Sequence, residues 1–142
     1  MTVPRFWREQ PQRYRLVGST CGRCERVFFP PRSVCPSCRR ESVGQLKTMR
    51  LSGRGRVMTW TVVRTPADGF ELQSPYVMAL IDLEEGCRVL GQVVDLEPER
   101  VERDLPVRAC FRRIRQDGER GVIYYGTKFR PDAASGSAAT KP

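Results

Sequence analysis

The sequence predicts a mainly β protein, in which a short helical arm precedes a four-cysteine zinc ribbon and a five-stranded OB-fold barrel. Two Cys-x2-Cys pairs lie within residues 21–38, and paired cysteines at this spacing are typical of zinc ribbons. After residue 50 come five segments rich in β-branched and aromatic residues, which strands prefer. A charged segment separates the third from the fourth, and this strand count and spacing match an OB-fold barrel.

The arm spans residues 1–17. Pro4 suits a first helical turn, whereas Pro11 ends or kinks a helix, so we expect two short helical pieces. Phe6 and Trp7 give the arm large apolar side chains. Such an arm either folds back onto its own domain or docks on another chain, and self-packing is the usual fate of an aromatic side chain near a terminus.

The ribbon is predicted for residues 18–50, with Cys21, Cys24, Cys35 and Cys38 as its metal ligands. Each pair can place two sulfurs on one metal through a tight turn, and two such turns complete a tetrahedral site. Zinc is the favoured metal, although iron also fits a rubredoxin-like arrangement of four thiolates. Because four thiolates close the coordination shell and leave no position for water, we interpret the site as structural rather than catalytic.

The barrel is predicted for residues 51–131, and the small, polar tail at 132–142 is expected to be disordered. In the first strand, alternation puts Val57 and Val62 on opposite faces. Because strand counts do not fix topology, another small antiparallel barrel or a sandwich stays open at this point. The five predicted strands cover residues 54–66, 76–83, 87–96, 107–114 and 122–129, and a loop or single helical turn covers 97–106.

Positive charge is concentrated at the start of the chain. The net charge is +9, of which +8 belongs to residues 1–50, so the predicted barrel is nearly neutral. This distribution suits either a solvated surface or contact with a polyanion or an acidic partner. A zinc ribbon beside an OB fold also raises single-stranded nucleic acid as an alternative ligand, but a strand-binding groove would be basic along its length.

The composition gives no support to a catalytic function. The chain has no histidine, so neither a Ser-His-Asp nor a Cys-His set can be built, and neither a phosphate-binding P-loop nor a dinucleotide fingerprint occurs. Cys87 and Cys110 fall within predicted strands and are interpreted as buried, unreactive thiols. No apolar run approaches the roughly 18–20 residues of a membrane span, and the arm lacks the pattern of a signal peptide. We therefore expect a cytoplasmic protein with reduced thiols.

Four motifs resemble the zinc-ribbon/OB-fold family of acyl-CoA-associated proteins: P-R-F-W-R-E at 4–9, R-Y-R-L-V-G at 13–18, C-x-x-C-x(4)-F-P-P-R-x-V-C-P-x-C at 21–38 and Y-G-T-K-F-R-P at 125–131. Members of this family partner enzymes of the thiolase superfamily. Archaeal members form a complex with acetoacetyl-CoA thiolase and hydroxymethylglutaryl-CoA (HMG-CoA) synthase of the mevalonate pathway, and others pair with thiolase-like enzymes in steroid side-chain degradation. The resemblance implies a non-catalytic scaffold that bridges two enzymes and helps to form a shared CoA/pantetheine site, so that acetoacetyl-CoA passes between them.

The resemblance also implies roles for single residues. It carries the four ribbon cysteines over as ligands of a structural zinc. For contacts with CoA or with a partner enzyme it nominates Phe6, Trp7 and Arg32, together with Lys128 and Arg130 in the last motif. The alternative for Lys128 and Arg130 is an exposed edge of the last strand.

Overall fold

The computed structural model describes residues 3–116, 118 and 120–132, with all of their side chains except those of Val3 and Phe6. The predicted disordered tail lies outside the described residues from position 133 onward. Among the described helices, none is both long and apolar enough to cross a membrane.

The arm forms two short helices, α1 (Val3–Arg8) and α2 (Gln10–Arg15), as predicted. The break lies at Glu9, and Pro11 occupies the first turn of α2, where its missing N–H leaves no hydrogen bond unmade. Glu9 accepts hydrogen bonds from Arg5 Nε at 2.8 Å and from Arg13 Nε at 2.9 Å, so one carboxylate ties the two helices together.

The arm packs back onto its own chain, the more common of the two fates considered for it. Leu16 ends α2 in a left-handed conformation (φ 48°), and its side chain is buried with the barrel core. The carbonyl oxygen of Arg13 accepts a hydrogen bond from Thr127 Oγ1 at 2.8 Å. The Tyr14 ring meets Phe111 edge to face, with ring centroids 5.1 Å apart.

The ribbon is a three-stranded antiparallel sheet in the order β2-β1-β3. Its central strand β1 (Val17–Cys21) pairs with β2 (Val27–Phe28) on one side and with β3 (Leu46–Arg50) on the other. The spacing of the cysteines predicts the two metal-binding turns but not this sheet, which joins the ribbon to the arm at Val17 and to the barrel at Arg50.

Five strands close the barrel in the order β4-β5-β6-β8-β7, with β4 paired back to β7. The pairing of β6 with β8 is parallel and the others are antiparallel, which confirms the predicted OB fold. The charged segment between the third and fourth strands contains the short 3-10 turn Pro98–Arg100. The strands are β4 (Arg54–Val63), β5 (Tyr76–Leu83), β6 (Arg88–Val93), β7 (Pro106–Gln116) and β8 (Ile123–Pro131).

The predicted faces of the first barrel strand are wrong because β4 contains a bulge. The pairing with β5 shifts between Val57 and Thr59, and an extra residue in one strand switches the side chains that follow it to the other face. Val57 is therefore fully buried, and Val62 packs against the same core. Trp60 lies on the same face as Val62 and is 37% exposed.

Candidate metal centre and ligand-binding surfaces

The four ribbon cysteines come together in space. Their sulfur atoms all lie within 4.8 Å of one another, and Cys24 Sγ is 3.5 Å from Cys35 Sγ. Cys21 and Cys35 are buried, whereas Cys24 and Cys38 are half-buried. The cluster therefore lies just below the surface of the ribbon, where a bound metal is shielded from water.

The two Cys-x2-Cys turns have the same backbone design. Glu25 N donates to the carbonyl of Cys21 at 2.9 Å, and Arg39 N donates to the carbonyl of Cys35 at 2.8 Å. Glu25 and Arg39 are both left-handed, with φ of 58° and 48°. Each turn thus reverses the chain four residues after its first cysteine and directs two sulfurs to one point.

Ser42, which no sequence motif marks, fixes the second turn. It is fully buried; its Oγ accepts from Cys35 N at 2.9 Å and donates to the carbonyl of Arg39 at 2.6 Å. A serine four residues after the last cysteine carries no recognisable pattern, so only the folded structure reveals this role.

The electrostatics of the cluster favour a bound cation. Backbone amides of Cys38 and Ser37 donate to the Cys35 sulfur and lower its pKa to about 6. The neighbouring sulfur of Cys24, together with burial, raises the pKa of Cys38 to about 12. Amide donors also lower the pKa of Cys21, and a bound metal would displace the proton of Cys38. This donor set fits Zn²⁺ in a closed, structural site.

The residues nominated for contact with CoA or a partner lie on different elements. Trp7 on α1 is 66% exposed, whereas the Phe6 side chain lies outside the described residues. Arg32 is exposed in the ribbon, where its guanidinium lies over the Phe28 ring at 5.5 Å from the centroid.

The alternative that Lys128 lies on an exposed strand edge is wrong. Strand β8 pairs along its length with β7 and, at Phe129, with Val93 of β6 in the closed barrel. Lys128 is only 5% exposed, and its Nζ donates to Gln73 Oε1 at 2.7 Å. Burial is the main cause that lowers its pKa. Arg130, two residues further on the same face of β8, is half-buried.

Two cysteines remain outside the ribbon, and both are poor nucleophiles. Cys87 is buried and Cys110 is half-buried. Burial is the main cause that raises the pKa of each thiol, so neither is a thiolate at neutral pH. This agrees with the interpretation of Cys87 as a buried structural thiol, while Cys110 is more exposed than predicted.

An apolar groove of about 490 Å³ lies where the arm, the ribbon and the barrel meet. The arm contributes Leu16, the ribbon contributes Phe29, and the barrel contributes Leu90 and Tyr125. Tyr125 stacks on Phe111 with ring centroids 5.5 Å apart. The sequence does not predict this groove, because its lining comes from segments that are distant along the chain.

Two family models match the chain in the order of its domains. Residues 8–44 match the rubredoxin-like zinc ribbon domain of ChsH2, and residues 49–112 match the C-terminal OB-fold domain of ChsH2. Both matches agree with the ribbon and barrel described above.

Three similar proteins extend this result. A DUF35 domain-containing scaffold protein of Methanothermobacter thermautotrophicus is 49% identical over 127 residues, which are 89% of this chain and 94% of that protein. The benzoylsuccinyl-CoA thiolase subunit BbsA of Thauera aromatica is 30% identical over 115 residues, covering 81% of this chain and 75% of BbsA. A solved chain of the Ltp2-ChsH2(DUF35) aldolase matches with a TM-score of 0.69 and 30% identity over 92% of this chain and 96% of that chain. From its two matched domains and its identity to these proteins over most of their length, we conclude that the chain belongs to the DUF35 family.

Proposed function

We propose that the chain is a non-catalytic scaffold subunit that bridges acetoacetyl-CoA thiolase and HMG-CoA synthase. In this role it helps to form a shared CoA/pantetheine site, through which acetoacetyl-CoA passes from one active site to the other. The chemistry belongs to the two enzymes. A shared site is useful here because it raises the effective concentration of an intermediate that would otherwise be lost by diffusion.

The observation that carries the proposal is the apolar groove at the junction of the three parts of the chain. It has the volume and apolar lining of a ligand-binding cleft, and Arg13 and Arg115 also line it. Such a groove suits a pantetheine arm, with basic side chains close to its phosphate end. Further support comes from the relatives, which include a scaffold protein and a thiolase subunit.

The first helix of the arm, α1, is proposed as a partner anchor. Trp7 is 66% exposed, and tryptophan and arginine are enriched among the residues that dominate binding energy at protein interfaces. Its neighbours Arg5 and Arg8 are also exposed. This combination suits a partner surface with an apolar pocket and an acidic rim.

Co-purification tests the proposal directly. The chain is expressed with acetoacetyl-CoA thiolase and HMG-CoA synthase of the same organism, and the complex is analysed by size-exclusion chromatography. We expect the three chains to co-elute in fixed stoichiometry, and Trp7→Ala to weaken the complex at least tenfold. Elution of the chain alone, or turnover of an acyl-CoA by the chain alone, refutes the proposal.

The groove is tested in the assembled complex by release of acetoacetyl-CoA into bulk solution. Leu90 lines the groove and is 67% exposed, so Leu90→Glu places a charge there without disturbing the core. The matched control is Val43→Glu, at a 64% exposed position of the ribbon. We expect more free intermediate with Leu90→Glu and no change with Val43→Glu; equal behaviour of the two variants argues against a role of the groove.

A second candidate is an accessory subunit of another thiolase-like enzyme, such as a steroid side-chain aldolase. The 30% identity to a chain of the Ltp2-ChsH2(DUF35) aldolase favours it. The same co-purification with a thiolase-like aldolase in place of the first two enzymes separates the candidates.

The nucleic-acid alternative predicts saturable binding of single-stranded DNA or RNA near 50 mM salt, and the absence of such binding removes it.

A further inference from the structure

The four ribbon cysteines differ in how far they can be reached from solvent. Cys24 and Cys38 are half-buried, whereas Cys21 and Cys35 are buried. Oxidants attack the sulfurs that they can reach, and a second sulfur close by turns the first product into a disulfide. Cys24 has such a neighbour, because its Sγ lies 3.5 Å from Cys35 Sγ in the other metal-binding turn. Cys24 and Cys35 thus form a pair of one accessible and one resolving sulfur.

The two turns are also joined by contacts that need no metal. Arg26 Nη1, next to the first turn, donates to Ser37 Oγ in the second turn at 2.5 Å. Arg23 in the first turn forms an ion pair with Glu41, with 2.5 Å between Nη1 and Oε2. Exposed contacts of this kind are weak one by one, but both join the same two turns. They therefore keep sulfurs of different turns close to each other when the metal leaves.

The segment between Cys24 and Cys35 carries one wall of the apolar groove. It includes Phe29, which packs against the barrel core and lines the groove. It also contains β2, which pairs with β1, and Arg32, whose backbone N–H donates to Ser19 Oγ at 2.9 Å. A covalent bond between the two cysteines closes a short loop around this segment and holds it against β1.

We propose that the ribbon is a redox switch, in which hydrogen peroxide converts the four-thiolate metal site into a disulfide between Cys24 and Cys35. The Cys24 thiolate attacks one peroxide oxygen, the O–O bond breaks, and Cys24 becomes a sulfenic acid while the other oxygen leaves as water. The Cys35 thiolate then attacks the Cys24 sulfur; the S–S bond forms, the S–O bond breaks and the second oxygen leaves as water. In sum, the two thiolates lose two electrons, and the peroxide takes them up with two protons to give two molecules of water.

This oxidation removes the metal but keeps the two turns connected. Cys21 and Cys38 alone are too few for a closed four-thiolate zinc site, so the zinc is released. The disulfide takes over as the link, because it joins the same two turns. A thiol reductant reverses the step, and the reduced cluster binds zinc again. The inference concerns the chain alone and does not rest on the scaffold function.

The test uses the zinc-loaded full chain and hydrogen peroxide. A colorimetric chelator measures zinc release, a sample without peroxide gives the background, and mass spectrometry of non-reduced peptides maps the disulfides. We expect zinc release in step with formation of a Cys24–Cys35 disulfide, and recovery of bound zinc when dithiothreitol and zinc are added. The control is Cys110→Ser, which removes a half-buried thiol outside the ribbon and should release zinc at the wild-type rate.

Two variants form a matched pair for the choice of sulfurs. Cys24→Ser and Cys38→Ser each remove one half-buried ligand. Both substitutions weaken zinc binding, so the disulfide itself is the readout. Peroxide should still join Cys24 to Cys35 in Cys38→Ser, whereas Cys24→Ser should lower the amount of Cys35 found in a disulfide by about tenfold or more, because the resolving sulfur lacks its partner. Equal amounts in the two variants contradict the proposal.

Hydrogen exchange separates a switch from simple oxidative damage. In the oxidised chain the backbone amides of β2 should stay protected, because the disulfide holds their segment in place. In a chain stripped of zinc by a chelator under reducing conditions, the same amides should exchange faster. The proposal is overturned by zinc that stays bound in excess peroxide, by zinc release without a disulfide, by a disulfide within one turn, or by equal loss of protection in the oxidised and the stripped chain.

Discussion

The contact between Gly91 and Phe129 predicts a large effect of adding one methyl group to the barrel. A Cβ atom at Gly91 would lie 2.6 Å from both Cδ2 and Cε2 of Phe129, whereas carbon atoms in contact are about 3.5–4.0 Å apart. The ring is 1% exposed, so it cannot move away without displacing the core around it. Gly91→Ala therefore forces a shift of about 1 Å and is expected to lower the free energy of unfolding by about 1–3 kcal/mol.

Thermal unfolding followed by circular dichroism measures this effect. For a chain of 142 residues, the expected loss corresponds to a decrease of about 3–12 °C in Tm. Leu90→Ala is the control, because this neighbour is 67% exposed and its substitution should change stability by no more than about 0.5 kcal/mol. Phe129→Leu should relieve the clash, so Gly91→Ala costs less in that background. An unchanged Tm for Gly91→Ala, or an equal loss in both backgrounds, refutes the reasoning.

Three further predictions concern the metal, the arm and pH. Chelation under reducing conditions should release about one zinc per chain in a colorimetric assay and disorder the ribbon, because metal binding contributes about 10–16 kcal/mol to such sites; Cys35→Ser should purify with less zinc. Leu16→Ala should lower the free energy of unfolding in urea by about 2–5 kcal/mol, since Leu16 is 5% exposed within the barrel core. Burial lowers the pKa of Lys128 in the folded state, so the unfolded chain binds more protons just below pH 10.5, and stability should rise with pH in that window. Lys128→Met should remove this rise of stability with pH in urea titrations. If stability still rises with pH in that variant, another titratable group causes the rise.

The sequence predicts the barrel well where local pattern alone determines the structure. The segment 76–83 is a strand with the predicted bounds, because it is an almost uninterrupted apolar run that ends at the polar turn 84–86. The faces predicted for the side chains of β4 are wrong, because the bulge after Val57 depends on the pairing with β5. A register shift of this kind is set by the partner strand, and no periodicity within β4 encodes it.

The metal centre and the lysine show the same division between local and long-range information. The four ligands follow from spacing, because each pair closes within one turn of the backbone. The burial of Lys128 does not follow from any local pattern. The residue that covers it, Gln73, is 55 positions away along the chain. An exposed basic strand edge and a buried cation give the same sequence pattern, and only the packing of the segment between β4 and β5 separates them.

The position of the zinc site indicates how a structural metal can serve a function located elsewhere. Strand β1 leads from the buried Leu16 to the ligand Cys21, and Leu51 N donates to the carbonyl of Leu16 at 3.0 Å. The chain therefore enters and leaves the ribbon at one point on the barrel. A metal that holds the ribbon rigid also fixes the direction of the arm and the position of Phe29 against the barrel. The apolar groove takes its walls from these three parts, so its shape depends on the metal although no ligand of the metal lines it.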